Sequence, residues 1–364
     1  MFNFEDLDKR IENFILSLQS SEYEFRPVIN GITKTGKSLT LGHLCYALKV
    51  LYTVDSQLLK NKSYIKNIDK RFQSFNIFYP DLPKNSYVDG QYYKLYKNSF
   101  KKIWVKNCIK FLLNKIKFVE INPNYKFREY IRAETKQAIA TQIQINKEFF
   151  SGYDSFPKTE EEIKEFLDNL DWSFPWNAGA QLSGICLFIN TLEESKDLTY
   201  FIDRYMHKKL LPDGTYGNKN IKNTSESING SMKVISGFDW LGINIHSPES
   251  LIDTCLQHEP MSEGCDLVDV IYVLYMCNKQ TNYREDDIKN YFEGLIPEVE
   301  EHFYPEIGGF SYYKNKSQTH YYGLNISDGL DEPDLHGTTL LVWGLSMMFE
   351  ILGEGYPNWN VIKP

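Results

Sequence analysis

Long hydrophobic runs are missing from these 364 residues. Nowhere do about 18 apolar residues stand together, so no membrane-spanning helix is expected. The N-terminal MFNFEDLDKR lacks the basic stretch and apolar core of a secretory signal. Cysteine is sparse, six in all, and no two form a CxxC pair. That pattern predicts buried free thiols in a reducing, cytoplasmic setting. Positive charge is not in excess: 40 Lys and Arg stand against 48 Asp and Glu, a formal net charge of -8. A broad electrostatic footprint for nucleic acid or an anionic membrane is therefore not expected.

What is abundant is aromatic surface, with 23 Phe, 25 Tyr and 6 Trp making 15% of the chain. Hydrophobic residues at 42% and charged residues at 24% belong to a folded globular chain. The length admits one large domain or two to three ordinary ones. Helical periodicity dominates. Apolar-rich helices are expected at 38–54, 131–149, 176–192, 227–241, 261–277 and 334–352. Between them, amphipathic helices are expected at 4–18, 99–118, 159–170, 197–209, 248–257 and 284–302. Runs of alternating β type are few, so the fold class is all-α.

A loose repeat runs through the apolar set. Gly31-Ile-Thr-Lys-Thr-Gly36 leads into a helix carrying Ala47-Leu48-Lys49-Val50, and Gly214-Thr-Tyr-Gly217 leads into Ser231-Met232-Lys233-Val234. Gly308-Gly309-Phe310-Ser311-Tyr312 leads, past a longer loop, into Thr338-Thr339-Leu340-Leu341-Val342-Trp343-Gly344. This last stretch, with Asp334-Leu335-His336-Gly337-Thr338, resembles the final repeat of the terpenoid cyclases and protein prenyltransferases. The resemblance implies an α/α toroid of about six helical hairpins in a ring, spanning 1–364 as one domain; the Lys-rich, Tyr-rich stretch 61–106 reads as an insertion or lid. Six-hairpin glycosidases and toroidal polysaccharide lyases are similar in helix pattern, so the fold does not choose a substrate.

Several motifs carry candidate chemistry. Gly31-Ile-Thr-Lys-Thr-Gly-Lys37-Ser38 satisfies the phosphate-binding pattern GxxxxGK[ST], but the chain offers few strands for the parallel sheet it needs, and a rim turn is the preferred reading. Asp266 and Asp269, three apart beside Cys265, share a helix face near its N-terminus, where they would cap the helix or act as acid–base groups. The prenyltransferase zinc pattern is not matched: Cys265 and Asp266 are adjacent, and His336 falls one position early. No metal set is expected, and no motif names a cofactor. Neither the D-x-D-D acid nor the D-D-x-x-D diphosphate motif occurs. At the C-terminal rim, His320, Tyr321, Tyr322 and Asn325 with Asp328, Asp331, Asp334 and His336 crowd one loop. There a tyrosine or imidazole would move a proton for a lyase, or Asp213 and Asp334 would serve a hydrolase.

The catalytic candidates are thus Asp266, Asp269, Asp334, His336, Tyr321 and Tyr322. Trp176, Asn177 and Trp240 are candidates for stacking or holding a substrate, with His320 and Asn325. Arg128 and Arg132 either pair with Glu129 and Glu134 on a solvated face or clamp an anionic group. The first expectation is a toroid enzyme with an aromatic-lined central cavity acting on an isoprenoid. The alternatives are a carbohydrate-active lyase or hydrolase, and a non-catalytic toroid binding a partner at its rim. The substrate expected in the cavity is a small molecule or glycan.

Overall fold

The computed structural model describes residues 4–80, 82–95, 97, 123–146, 152–219, 221, 223–261 and 263–364. The helix expected at 99–118, Cys108 and the Arg128 side chain lie outside the described residues. The fold is all-α: among the described residues the strands form only two-stranded antiparallel pairs. That removes the parallel sheet a phosphate-binding loop requires. Gly36 instead packs under a loop, where an added Cβ would lie 2.1 Å from the carbonyl oxygen of Ile326.

Two kinds of helix alternate. The nearly all-round buried ones are α3 (Leu41–Thr53), α7 (Pro175–Asn190), α9 (Thr224–Leu241), α11 (Gly264–Asn278) and α13 (Leu335–Leu352). α5 (Pro123–Asn146) belongs with them, burying Ile131, Ala138, Ile139 and Ala140. The amphipathic ones bury one stripe each. These are α1 (Leu7–Ser17), α4 (Lys62–Gln73), α6 (Glu160–Asp168), α8 (Lys196–His207), α10 (Pro248–Leu256) and α12 (Glu285–Glu300). A short α2 (Lys34–Ser38) precedes α3. Within 61–106, the described part includes α4, whose Ile68 and Phe72 are fully buried in the main core.

The apolar helices contact one another in a fixed order: α3 with α5, α5 with α7, α7 with α9, α9 with α11, α11 with α13, and α13 with α3. The closest approach is α7 on α9, and it is built from small residues. A Cβ on Gly230 would sit 2.5 Å from Pro175, and Ser183 and Ser236 join hydroxyls at 2.7 Å. The termini follow local chemistry. Thr159 and Glu162 form a capping box on α6, Pro175 and Pro248 occupy first turns, and Gly242 ends α9 at φ 69°. By length and composition α13 could cross a membrane, yet 72% of it is buried against its neighbours here.

Two segments close over the ends of these helices. The hairpin of β5 (His320–Tyr321) and β6 (Leu324–Asn325) turns through Tyr322 at φ 43° and Gly323 at φ 80°. With Leu39, Val88, Tyr92, Tyr130 and Ile326, Tyr321 forms a separate apolar cluster. At the other ends, residues 359–364 cross α3, α5, α9 and α13. Asn360 donates to Thr53, Trp343 Nε1 donates to Ile362, and Gln144 Nε2 donates to Lys363.

Candidate functional site

Tyr321 is driven inward because its hairpin turns at Tyr322 and Gly323, leaving the preceding side chain to fill the gap between α3 and α5. The gap exists because position 42 carries no side chain: a Cβ there would lie 2.0 Å from the Tyr321 hydroxyl. That hydroxyl donates a hydrogen bond to Oε1 of Glu134 on α5, and both residues are buried. The second carboxyl oxygen, Oε2, is buried without a partner. Burial pushes the Glu134 carboxyl up to about 8, although the Tyr321 hydrogen bond pulls the other way. At neutral pH Glu134 is a protonated acid. The neighbouring carboxylate whose charge it feels is Asp89. Both Asp89 oxygens are taken by backbone N–H groups, those of Thr40 and Leu41 at the start of α3 and those of Gln91 and Tyr92.

Beside this pair lies a cavity of about 10 Å³, whose walls include His43, Tyr46, Gln318, Tyr321, Asp334 and His336. The void is the size of one water molecule. Three of these residues carry a buried atom with no partner: His43 Nε2, Gln318 Oε1 and His336 Nδ1. His43 Nδ1 sits 3.0 Å from the carbonyl oxygen of Leu39, which can only accept, so the ring proton is on Nδ1 and Nε2 is a bare acceptor. Burial lowers the His43 imidazole to about 4. His336 is stacked between Tyr46, at 4.8 Å, and Tyr312, at 5.3 Å. Burial first, then the charge of Lys233, lowers it to about 3, so both imidazoles are neutral.

Three lysines lie on the same apolar helices: Lys49 on α3, Lys136 on α5 and Lys233 on α9. Burial lowers Lys49, and it lowers Lys136 to about 7, with the charges of Lys49 and Lys233 adding to the effect. Lys233 Nζ is 3.9 Å from Asp269, whose carboxyl burial raises to about 6 and whose Oδ2 has no partner.

Other candidates have local employment. Asp334 caps α13, accepting from the N–H groups of Gly337 at 2.7 Å, Tyr312 at 2.7 Å and Gln318 at 3.0 Å. Asp266 accepts from Asn229 and from the Met261 N–H, and lies 3.6 Å from His258. Asp213 accepts from the N–H and hydroxyl of Thr215 in its own turn. Trp176 and Asn177 are exposed at the start of α7, where the Trp176 N–H meets Glu226. Trp240 is buried, with Nε1 on the carbonyl of Pro364. Arg132 points away from Glu134 toward α7 and α6, donating to Gln181 and lying over the Phe166 ring. His320 and Asn325 are exposed, and Asn325 Nδ2 donates to Thr319 and Ser327 within the hairpin loop. Tyr322 is half exposed, with its ring 4.9 Å from Tyr130.

The structure therefore brings Tyr321, Asp334 and His336 to one small cavity and puts Asp269 with Lys233. It leaves Trp176, Asn177, His320, Asn325 and Arg132 apart from both. Glu134, expected from the sequence to pair with arginine on a solvated face, is buried. Its signal is nonetheless present: Ile131, Glu134, Ala138 and Gln142 recur at the spacing of one helix face. Among the described residues no three His, Cys, Asp or Glu side chains are placed to hold a metal. Comparison with protein-family models, with curated proteins and with solved structures finds no match to this chain.

Proposed function

We propose that this chain is an α/α toroid enzyme that uses Glu134 as a buried proton donor, and that its substrate is a glycan cleaved by elimination. The toroid is supported by the succession of helix contacts, which leaves α3 and returns to it through α5, α7, α9, α11 and α13. In this arrangement the six apolar helices form the inner wall and the amphipathic helices the outer one. The single observation that carries the chemistry is the buried Glu134 carboxyl held by the Tyr321 hydroxyl beside the cavity that His43 and His336 line.

A carboxylic acid held near 8 matches the task of protonating a leaving oxygen close to neutral pH. It is far too weak to protonate an alkene, the step by which an isoprenoid ring closure would start. A two-carboxylate hydrolysis is also less well served, because Asp89 has both oxygens committed to backbone N–H groups. Elimination breaks the C–H bond beside the uronate carboxylate and the C–O bond to the leaving sugar: His43 Nε2, an unpartnered acceptor beside Tyr321, takes the carbon's proton as the double bond forms, and Glu134 with Tyr321 delivers one to the leaving oxygen. The hairpin over Glu134 must lift for a substrate to enter, and its tip rests on one hydrogen bond from the Tyr92 hydroxyl to the Tyr322 carbonyl. The isoprenoid reading keeps one favouring observation, the tyrosine wall of Tyr46, Tyr92, Tyr130, Tyr312 and Tyr321.

The test is a substrate screen with two controls. Uronate-containing oligosaccharides and prenyl diphosphates are incubated with the protein, Glu134→Gln and Tyr321→Phe. Formation of a conjugated double bond by the unaltered protein, lost roughly a hundredfold or more in both variants, is the expected result. Cleavage that survives both substitutions removes Glu134 from the chemistry. Turnover of a prenyl diphosphate alone replaces the glycan reading.

A further inference from the structure

The void beside Tyr321 is walled by parts of the chain far apart in sequence. His43 comes from α3, Leu335 and His336 from α13, and Gln318 and Tyr321 from the β5–β6 hairpin and its approach. Pro27, Ile326 and Leu335 supply apolar wall. Three atoms of the wall residues are buried and unpartnered, namely His43 Nε2, Gln318 Oε1 and His336 Nδ1, and His43 as a whole is 2% exposed. Asp334, also in the wall, has both oxygens committed. Oδ1 accepts from the Gly337 N–H, and Oδ2 accepts from those of Tyr312 and Gln318.

Size and the count of donors and acceptors decide what fits. At about 10 Å³ the void admits one water and nothing larger. A space that clears a sphere of that radius keeps its wall atoms at hydrogen-bond distance, beyond the roughly 2.0–2.1 Å at which imidazole holds zinc. A buried polar atom left unpaired carries its full desolvation cost, so three around one void call for a partner. His43 Nε2 only accepts, because the ring proton sits on Nδ1 toward the Leu39 carbonyl. Gln318 Oε1 only accepts as well. A water has two hydrogens, and these two acceptors use both. Its oxygen is then the acceptor, and the remaining atom, His336 Nδ1, is the donor.

We propose that the void holds one ordered water that donates to His43 Nε2 and Gln318 Oε1 and accepts from His336 Nδ1–H. The water ties the approach to the hairpin to α3 and α13, and it fixes His336, like His43, with its proton on Nδ1. His336 Nε2 is then a bare acceptor on the far side of its ring. Lifting the hairpin takes Tyr321 out of the wall, which opens the void and releases the water. The water site stands without the proposed elimination; that the water occupies His43 Nε2 until a substrate C–H replaces it rests on that reading.

High-resolution diffraction from crystals of the free protein, with long-range proton–nitrogen correlation spectra of nitrogen-labelled protein, tests the site. The expected result is one density peak about 2.7–3.2 Å from His43 Nε2, Gln318 Oε1 and His336 Nδ1, with both imidazoles protonated on Nδ1. A void without density, a peak with the anomalous signal of a metal, or a His336 proton on Nε2 overturns it. Gln318→Leu removes one acceptor and leaves the main-chain bonds of position 318 to Asp334 and Ser327 in place. Amide exchange in residues 320–325 should quicken about tenfold in this variant, the loss of one hydrogen bond, and the His336 proton should spread over both nitrogens. Exchange and tautomer both unchanged would deny that a water ties these parts together. With a galacturonate trimer bound, the peak at His43 Nε2 should be gone. A peak that persists beside the bound trimer takes His43 out of the proposed elimination while the water of the free protein stands, so the two inferences fail separately.

Discussion

Glu134→Gln should change how stability depends on pH, and the sign follows from the direction of the carboxyl's displacement. The folded state holds the Glu134 proton up to about 8, whereas the unfolded chain releases it near 4.5. Between those values the native state binds one proton more than the unfolded state. Stability from this group is therefore full below 4.5, falls as pH rises, and is gone above about 8. The whole interval corresponds to a loss on the order of 5 kcal/mol. The glutamine side chain of this variant cannot ionise and still accepts the Tyr321 hydrogen bond, so the variant lacks this slope. Other groups contribute to the raw profile. Asp269 and Asp334, both raised to about 6, add to the decline at lower pH. Lys136, lowered to about 7, contributes stability that grows as pH rises above 7. His43 and His336, lowered to about 4 and about 3, favour the folded state increasingly up to 6.5. Subtracting the variant from the unaltered protein cancels all of these. Urea unfolding at about pH 5, 6, 7, 8 and 9 should show near-equal stabilities at the acid end and a variant several kcal/mol more stable at the alkaline end. Curves that run parallel across that range would refute a buried, protonated Glu134.

Asp334→Ala should destabilise the protein by about 3–5 kcal/mol, since it removes a helix cap and leaves three N–H groups without their acceptor. Urea unfolding reads this directly, and a loss below about 1 kcal/mol would show that the cap is replaced by solvent. Gly42→Ala places a methyl carbon 2.0 Å from the Tyr321 hydroxyl and should expel that side chain. Amide exchange in residues 318–326 should accelerate roughly tenfold or more, and unchanged exchange would deny that the hairpin is seated by Tyr321. Trp343→Phe removes the indole N–H that holds the Ile362 carbonyl at 3.0 Å. Limited proteolysis should then cut within residues 357–364 sooner than in the unaltered protein, and equal cutting rates would place the restraint elsewhere.

The helices are legible because burial writes itself into composition. α7, α9, α11 and α13 are enclosed on nearly all sides, so their sequences are apolar almost throughout and their positions fall within a few residues of expectation. The periodicity starts α3 at Ser38, but Leu39 and Thr40 are extended or irregular and a separate five-residue helix precedes them. The Gly-Lys-Ser pattern there looks continuous with the helix, and only the packing of Ile326 over Gly36 separates the two. α4 carries Lys62, Lys66, Lys70 and Arg71, and that charge masks a two-residue apolar contact, Ile68 and Phe72. Short stripes of this kind are the weakest periodic signal a helix can send.

The site is harder to read because its chemistry depends on where side chains from different helices meet. Asp334 and His336 stand out together in the sequence, yet the first is spent on backbone N–H groups and the second is sandwiched between tyrosines. The informative residues are ionisable ones embedded in apolar surroundings. Lys49 and Lys233 occur in the matching stretches Ala47-Leu48-Lys49-Val50 and Ser231-Met232-Lys233-Val234, which mark a repeat. A helix that spends an interior position on lysine forgoes the burial of an apolar side chain, roughly 1.5–3 kcal/mol for a leucine or valine. It also bears the cost of desolvating the charge. Lysine at corresponding points of two apolar helices, and again at Lys136, therefore carries a stability cost that replacement should recover. Replacement of Lys49 by Met should therefore stabilise the protein, read as a higher midpoint of urea unfolding. A variant less stable than the unaltered protein would make the Lys49 ammonium a structural group instead.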